Sequence, residues 1–80
     1  MMDFNKIVPK FNHEGIEGLT IREISSFLLG HCNDKRNAHA KLKAFQKEMS
    51  HQTVGIMKDG THIYYAHDFA RFMNGLPVID

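Results

Sequence analysis

The segment from Thr20 to Met49 constrains the fold of this chain most, because two short helical patterns meet there at a tight break. The break is the pentapeptide Gly30-His31-Cys32-Asn33-Asp34, and the pattern after it, from Lys35 to Lys47, is rich in cations. Two helices joined by a short turn, with cations on the second helix, are typical of a helix-turn-helix that reads DNA. The sequence therefore favours a binding protein over an enzyme.

The length and the charge limit what such a protein can do. Eighty residues predict one domain with a small core, since a chain of this size buries only about 60% of its unfolded surface. The formal net charge is +1, so affinity for nucleic acid must come from local clustering of cations. One Cys excludes an internal disulfide, and no apolar run approaches the roughly 18 residues of a membrane span. We expect a reduced, cytoplasmic protein without a membrane contact.

Residues 1–19 predict an extended lead into the first helix. Pro9 and two glycines divide the apolar residues into short pieces. His13-Glu14-Gly15 fits a turn, and residues 16–19 fit a brief return strand.

The first helix of the motif is predicted by a capping box, Thr20-Ile21-Arg22-Glu23, in which Thr20 and Glu23 satisfy each other's backbone N–H groups. Gly30 can form a left-handed C-terminal cap, so we expect the helix to end there after about nine residues. Apolar residues at helical spacing form its buried stripe: Ile21, Ile24, Phe27 and Leu28.

The second helix is predicted over residues 34–49, with Asn33 or Asp34 as its N-cap. Four apolar residues fall within about 60° of arc and form the core face; they are Ala38, Leu42, Phe45 and Met49. The opposite side carries Arg36, His39, Ala40, Lys43 and Lys47. Most cationic helix faces are simply solvated. The position of this one, on the second helix after a short turn, favours DNA recognition instead.

Residues 53–66 predict a β-hairpin, because two alternating segments flank Asp59-Gly60, a preferred dipeptide of the two-residue type I′ turn. Pairing Lys58 with Thr61 predicts two faces. One face consists of Val54, Ile56, Ile63 and Tyr65, and the other of Met57, His62 and Tyr64. A hairpin directly after a recognition helix is a wing. The Tyr64 face is either covered by the N-terminal strand or exposed as a surface for self-association.

A closing helix over residues 68–75 is the last predicted element. Asp68 fits its N-cap and Gly75 its stop. Phe69, Phe72 and Met73 form its apolar stripe.

The histidines and the single Cys raise the question of a metal site, since both side chains are common zinc ligands. The chain has neither a Cys-x-x-Cys motif nor a pair of His at helical spacing. A Cys-His nucleophile pair would also need a cleft and an oxyanion site. We therefore expect no metal, no other cofactor and no catalytic residue, with Cys32 as a small plug in the turn between the helices.

The order of these elements resembles the N-terminal domains of phage regulatory proteins, namely the Rha-type regulators and the BRO-type antirepressors. The resemblance lies in Leu19-Thr20-Ile21-Arg22-Glu23-Ile24-Ser25 and the basic pair Lys35-Arg36 for the first family. For the second it lies in Leu29-Gly30 followed by the segment from Asn33 to Asn37. The chain departs from the Rha pattern at Asn37, where that family has a His, and it lacks the larger C-terminal region of such regulators. The resemblance implies a small phage or prophage transcriptional regulator, or an excisionase-like factor, in the cytoplasm of a bacterial host.

Together these patterns predict an α+β fold, a small winged helix-turn-helix that binds double-stranded DNA as a homodimer. Base readout is expected from three residues, Arg36, Asn37 and His39. Phosphate contacts are expected from Lys35, Lys43, Lys47 and Lys58, with Arg22 bracing the backbone. The alternative is a phage-encoded inhibitor or adaptor that binds a host protein through the basic helix or the Met57/Tyr64 face. The near-zero net charge favours that alternative.

Overall fold

The computed structural model describes residues 4–49 and 53–75. In these ranges the chain forms four helices and one four-stranded antiparallel sheet, so the predicted α+β class is confirmed. The elements in chain order are α1 (Phe4–Ile7), β1 (Phe11–His13), β2 (Ile16–Thr20), α2 (Ile21–His31), α3 (Lys35–Glu48), β3 (Gly55–Ile56), β4 (His62–Tyr64) and α4 (Ala66–Met73).

The sheet has the strand order β1-β2-β4-β3. Strand β2 joins two hairpins, because it pairs with β1 on one side and with β4 on the other. In the second pairing Leu19 lies opposite Tyr64, and Thr20 lies opposite Ile63. The helices α2 and α3 are thus inserted in the chain between two strands, β2 and β3, that flank β4.

The first hairpin confirms the turn predicted at residues 13–15. His13 pairs with Ile16, which leaves a two-residue turn of Glu14 and Gly15. Both turn residues have positive φ, 54° and 89°, the backbone of a type I′ turn. The side-chain oxygen of Asn12 accepts the N–H of Gly15 at 2.9 Å.

The prediction of an extended lead is wrong for residues 4–7, which form α1. This single helical turn packs against α4. It ends before Pro9, which lacks the N–H that a continuing helix would need. The contact with α4, which is distant in sequence, therefore stabilises the helical conformation of residues 4–7. No local sequence pattern predicts this helix.

Helix α2 begins at the predicted capping box. The Thr20 hydroxyl accepts the N–H of Glu23 at 3.3 Å, and the Glu23 carboxylate accepts the N–H of Thr20 at 2.8 Å. The predicted cap at Gly30 is wrong, because Gly30 is helical and α2 continues to His31. The ring of His31 stacks on Phe27 one turn earlier, with centroids 5.7 Å apart. The helix thus extends one residue beyond Gly30. The break between α2 and α3 consists of residues 32–34.

Helix α3 confirms the second predicted helix and selects Asp34 as its N-cap, whose carboxylate accepts the N–H of Arg36. The predicted core face turns inward. Phe45 is the centre of this packing, because its ring meets three other rings edge-on at centroid distances of 5.3–5.4 Å. These rings belong to Tyr64, Phe69 and Phe72. One helix face thus contacts both β4 and α4.

The second hairpin forms, but its predicted turn and register are wrong by one residue. Ile56 pairs with His62, so the loop after Met57 has three residues instead of two. The N–H of Gly60 donates to the carbonyl of Met57 at 2.9 Å, and the N–H of Met57 donates to the carbonyl of Thr61 at 2.8 Å. With φ of 88° at Gly60, this is a type I turn followed by a bulge.

The predicted grouping of side chains in this hairpin is wrong as well, because the shift of one residue places Ile56 on the face of His62 and Tyr64 instead of the face of Ile63. Ile56 is 58% exposed, whereas Tyr64 is buried against α3. Ile63 is also buried, and it lies beside Gly18 of β2. Strand β4 is therefore covered on both faces, and Tyr64 offers no surface for self-association.

Helix α4 begins at Ala66, two residues before the predicted start. Asp68 is consequently not the N-cap. It lies in the first turn, 1% exposed, where a carboxylate interacts favourably with the helix dipole. Tyr65 occupies the N-cap position without a capping side-chain bond. The predicted stop is confirmed, because Gly75 has φ of 73° and its N–H donates to the carbonyl of Phe72.

Candidate nucleic-acid interface

The buried face of α3 determines which side chains the helix presents to solvent. Because the core residues occupy one side of the helix, the residues about 180° away on the helical wheel point outward. The five residues predicted on this side, which we call the basic stripe of α3, are all exposed: Arg36, His39, Ala40, Lys43 and Lys47. Ala40 is the one small residue among these five, so a surface can approach the helix backbone closely there.

The charge of the molecule is concentrated on α3. This helix carries five cations and one carboxylate, a net charge of +4. The whole chain has a net charge of +1, so the remaining residues carry a net charge of −3. Within residues 4–49 and 53–75, no ion pair involves a cation of α3. The helix therefore has a strong positive potential although the chain as a whole is nearly neutral.

Two further predicted residues of α3, Lys35 and Asn37, lie on the two flanks of the stripe. Lys35 and His39 face α2, where they line a cavity of about 310 Å³ together with Ser25. Asn37 is exposed on the opposite flank, next to Lys41 on the helical wheel. Six of the eight predicted DNA contacts are thus brought together on one helix.

The remaining two, Arg22 and Lys58, belong to a second group near the turn of the β3–β4 hairpin. The ammonium nitrogen of Lys58 lies 3.5 Å from a carboxylate oxygen of Glu14. Arg22 and Asp59 line one cavity. The side chain and backbone N–H of Thr61 lower the pKa of Asp59 through hydrogen bonds, and the charge of Arg22 lowers it further. Lys58 therefore has an ion-pair partner and Arg22 lies near a carboxylate, whereas no ion pair is found for the cations of the α3 stripe within the described ranges.

A partly buried cluster joins the first hairpin to the start of α2. The Nε2 atom of His13 lies 2.9 Å from the Glu23 carboxylate oxygen that also accepts the backbone N–H of Thr20. The capping box identifies Glu23 from the sequence. Nothing local identifies His13, because its partner is ten residues away. This cluster fixes β1 against the helix that precedes α3.

Sequence reasoning missed Leu29, which is 53% exposed on α2 and lines the cavity beside Lys35 and His39. A signal for it exists in the sequence. Leu29 follows Leu28 of the buried stripe directly, so it must point about 100° away from that residue. An apolar residue on the polar side of an amphipathic helix is a candidate contact residue.

The part of the chain that the structure describes holds no group of three or more His, Cys, Asp or Glu residues arranged to bind a metal ion. Cys32 is half-buried beside the core, and His51 lies outside the described ranges. In the same ranges, no helix has the length and the apolar character needed to cross a membrane.

Comparison of the chain with models of protein families, with curated proteins and with solved structures finds no match in any of the three. The resemblance to Rha-type regulators and BRO-type antirepressors stays a prediction from the motifs that carry it.

Proposed function

We propose that the protein is a winged helix-turn-helix that binds double-stranded DNA through α3. The observation that carries this proposal is the solvent face of α3. Its cations are exposed and without ion pairs among residues 4–49 and 53–75. A row of such cations releases counterions when it meets phosphates, and this release supplies most of the affinity of non-specific DNA binding.

The topology supports the same proposal. A strand, two helices joined by a short turn, and a hairpin whose last strand pairs with the first strand are the parts of a winged helix-turn-helix. In that arrangement the second helix enters the major groove with its N-terminal half toward the bases. The proposal gives base contacts to Arg36, Asn37 and His39 and phosphate contacts to Lys35, Lys43 and Lys47.

The β3–β4 hairpin takes a secondary part in this proposal. Lys58 is 90% exposed at its turn, but it shares that turn with Asp59 and lies near Glu14. The Glu14 carboxylate beside this ammonium group reduces its net attraction for phosphate. We therefore assign the phosphate contacts mainly to α3, with Lys58 and Arg22 as weaker contributors.

The experiment is a fluorescence-anisotropy titration of the whole chain with random duplex DNA at about 50 and 200 mM salt. The three phosphate contacts of α3 predict a slope near −2.7 in log affinity against log salt, which is roughly a fortyfold loss of affinity between these two concentrations. Binding that weakens this steeply supports the proposal. Absence of binding at 50 mM salt would overturn it.

The second candidate function is binding of a protein partner through the same region. The exposure of Leu29 beside the basic helix favours it, because an apolar side chain contributes nothing to phosphate contacts. The Met57/Tyr64 face has no part in this candidate, since Tyr64 is only 7% exposed. What remains is the surface between α2 and α3.

A further inference from the structure

The cavity between α2 and α3 is lined by apolar residues, which we call its apolar floor, and by one cation. Three of its lining residues are apolar: Leu29, Ala38 and Leu42. The other lining residues are Lys35, His39 and Ser25, and no carboxylate is among them. A phosphate alone would leave the apolar floor uncovered, whereas a purely apolar group would leave Lys35 without a counterion.

We propose that this cavity, the α2/α3 groove, binds a short acidic segment of a partner protein, with an aliphatic or aromatic side chain on Leu29 and a carboxylate near Lys35. The proposal goes beyond DNA binding and does not depend on it. Two adjacent helices with an apolar floor between them are a common receptor for an amphipathic segment of another chain.

The choice of an acidic partner rests on charge complementarity. The groove is bordered by α3, which has a net charge of +4. A basic or neutral segment would gain no electrostatic attraction from this positive charge. Acidic residues that flank the apolar anchor would be attracted to it. The volume, about 310 Å³, lies at the lower end of the roughly 300–1,000 Å³ of binding pockets. The groove therefore accommodates a short motif with few anchor side chains.

The test is selection of a random 12-residue peptide library on the immobilised full chain, followed by fluorescence anisotropy of the enriched peptides. We expect enriched sequences that place Asp or Glu beside Leu, Ile or Phe. Leu29→Ser should weaken their binding at least about tenfold, as loss of an interface anchor does. Lys35→Ala should weaken it as well. Leu29 is half exposed, so its replacement leaves the core intact.

The matched control is Ile56→Ser, which removes an apolar side chain of similar exposure, 58%, from β3. Peptide binding unchanged in this variant and lost in Leu29→Ser supports the groove. Three outcomes would overturn the proposal: no enrichment of acidic peptides with apolar anchors, equal binding by Leu29→Ser and the wild-type chain, or equal loss in both variants. These peptide-binding outcomes do not depend on whether the protein binds DNA, because no nucleic acid is present in the assay.

A separate titration with duplex DNA distinguishes the groove from the DNA surface. The proposed peptide site predicts that Leu29→Ser retains the DNA affinity of the wild-type chain. If Leu29→Ser instead reduced DNA affinity and left peptide binding unchanged, the groove would be part of the DNA interface and the proposal would be wrong.

Discussion

The ring of Tyr64 packs edge-on against the ring of Phe45, with centroids 5.4 Å apart and ring planes at 64°. This contact fixes α3 against the central strand β4. Such aromatic pairs contribute about 0.5–1.5 kcal/mol beyond the burial of their area. Because Phe45 faces inward here, the opposite side of α3 must face solvent, and the basic stripe is presented as a consequence.

Burial raises the pKa of the Tyr64 hydroxyl above its usual value of 10.0, because the phenolate would lose solvation. Above about pH 10 the unfolded chain therefore releases this proton more readily than the folded chain, and the free energy of unfolding falls as pH rises. Below that pH the contribution of Tyr64 is constant. We expect Tyr64→Phe to reduce this alkaline loss of stability. The free energy of unfolding of the wild-type chain and of Tyr64→Phe, obtained by urea denaturation between about pH 8 and 11, tests this prediction. Parallel stability curves would contradict the prediction.

Gly18→Ala should destabilise the fold by about 1–3 kcal/mol, the usual cost of overpacking. A Cβ at Gly18 would collide with the carbonyl oxygen of Tyr64 and with the side chain of Ile63. The carbonyl belongs to the backbone of a paired strand, so it cannot move aside without disturbing the β2–β4 pairing. Urea denaturation provides the measurement, and a stability equal to that of the wild-type chain would show that the strands are not this close.

Gly30→Ala is the matched substitution, and it should increase the stability of the fold instead of reducing it. Gly30 lies within α2 without positive φ, and the position that the methyl group of Ala would take is open space. Since Ala is favoured over Gly in a helix by about 0.5–1 kcal/mol, the variant should be more stable by that amount. The left-handed cap expected from the sequence would instead make this substitution destabilising. The same denaturation experiment therefore distinguishes the two conformations.

Glu14→Asn should stabilise the first hairpin. Glu14 has φ of 54°, and a left-handed backbone costs most L-residues about 1–2 kcal/mol. Asn before Gly is the preferred pair for a type I′ turn, so part of that cost should be recovered. Glu14→Gln is the control, because it also removes the ion pair with Lys58 but retains the unfavourable backbone. That pair is solvent-exposed, so its loss should change stability little. Equal stability of the two variants in thermal unfolding would contradict the prediction.

Lys43→Ala and Lys47→Ala should each reduce the salt slope of DNA binding by about 0.9, since each removes one proposed phosphate contact. Lys41→Ala is the matched control. Lys41 is an exposed lysine of the same helix, but it lies about 120° from Lys47 on the helical wheel. Its removal should leave the slope unchanged. Anisotropy titrations at several salt concentrations measure all three variants. Equal slopes in the wild-type chain, Lys43→Ala and Lys47→Ala would exclude the stripe as the docking face.

The register error at the second hairpin has a cause outside the hairpin. Asp59-Gly60 suits a two-residue turn and Glu14-Gly15 suits it less well, yet the structure has the type I′ turn at Glu14-Gly15 and a three-residue loop at the second hairpin. The register of β4 is set by its pairing with β2 as well as by its own turn. Local turn preference therefore yields to a contact with a strand about forty residues earlier in the chain.

The sequence by itself determined the α+β class, the starts of both helices of the central motif and the two sides of α3, because capping and helical periodicity depend on residues within one or two turns of each other. The tertiary structure alone decided the helix at residues 4–7, the burial of Tyr64, the His13–Glu23 contact and the groove beside Leu29. Each of these depends on which distant elements share a surface. That choice follows from packing of the whole core, which no short segment of the sequence contains.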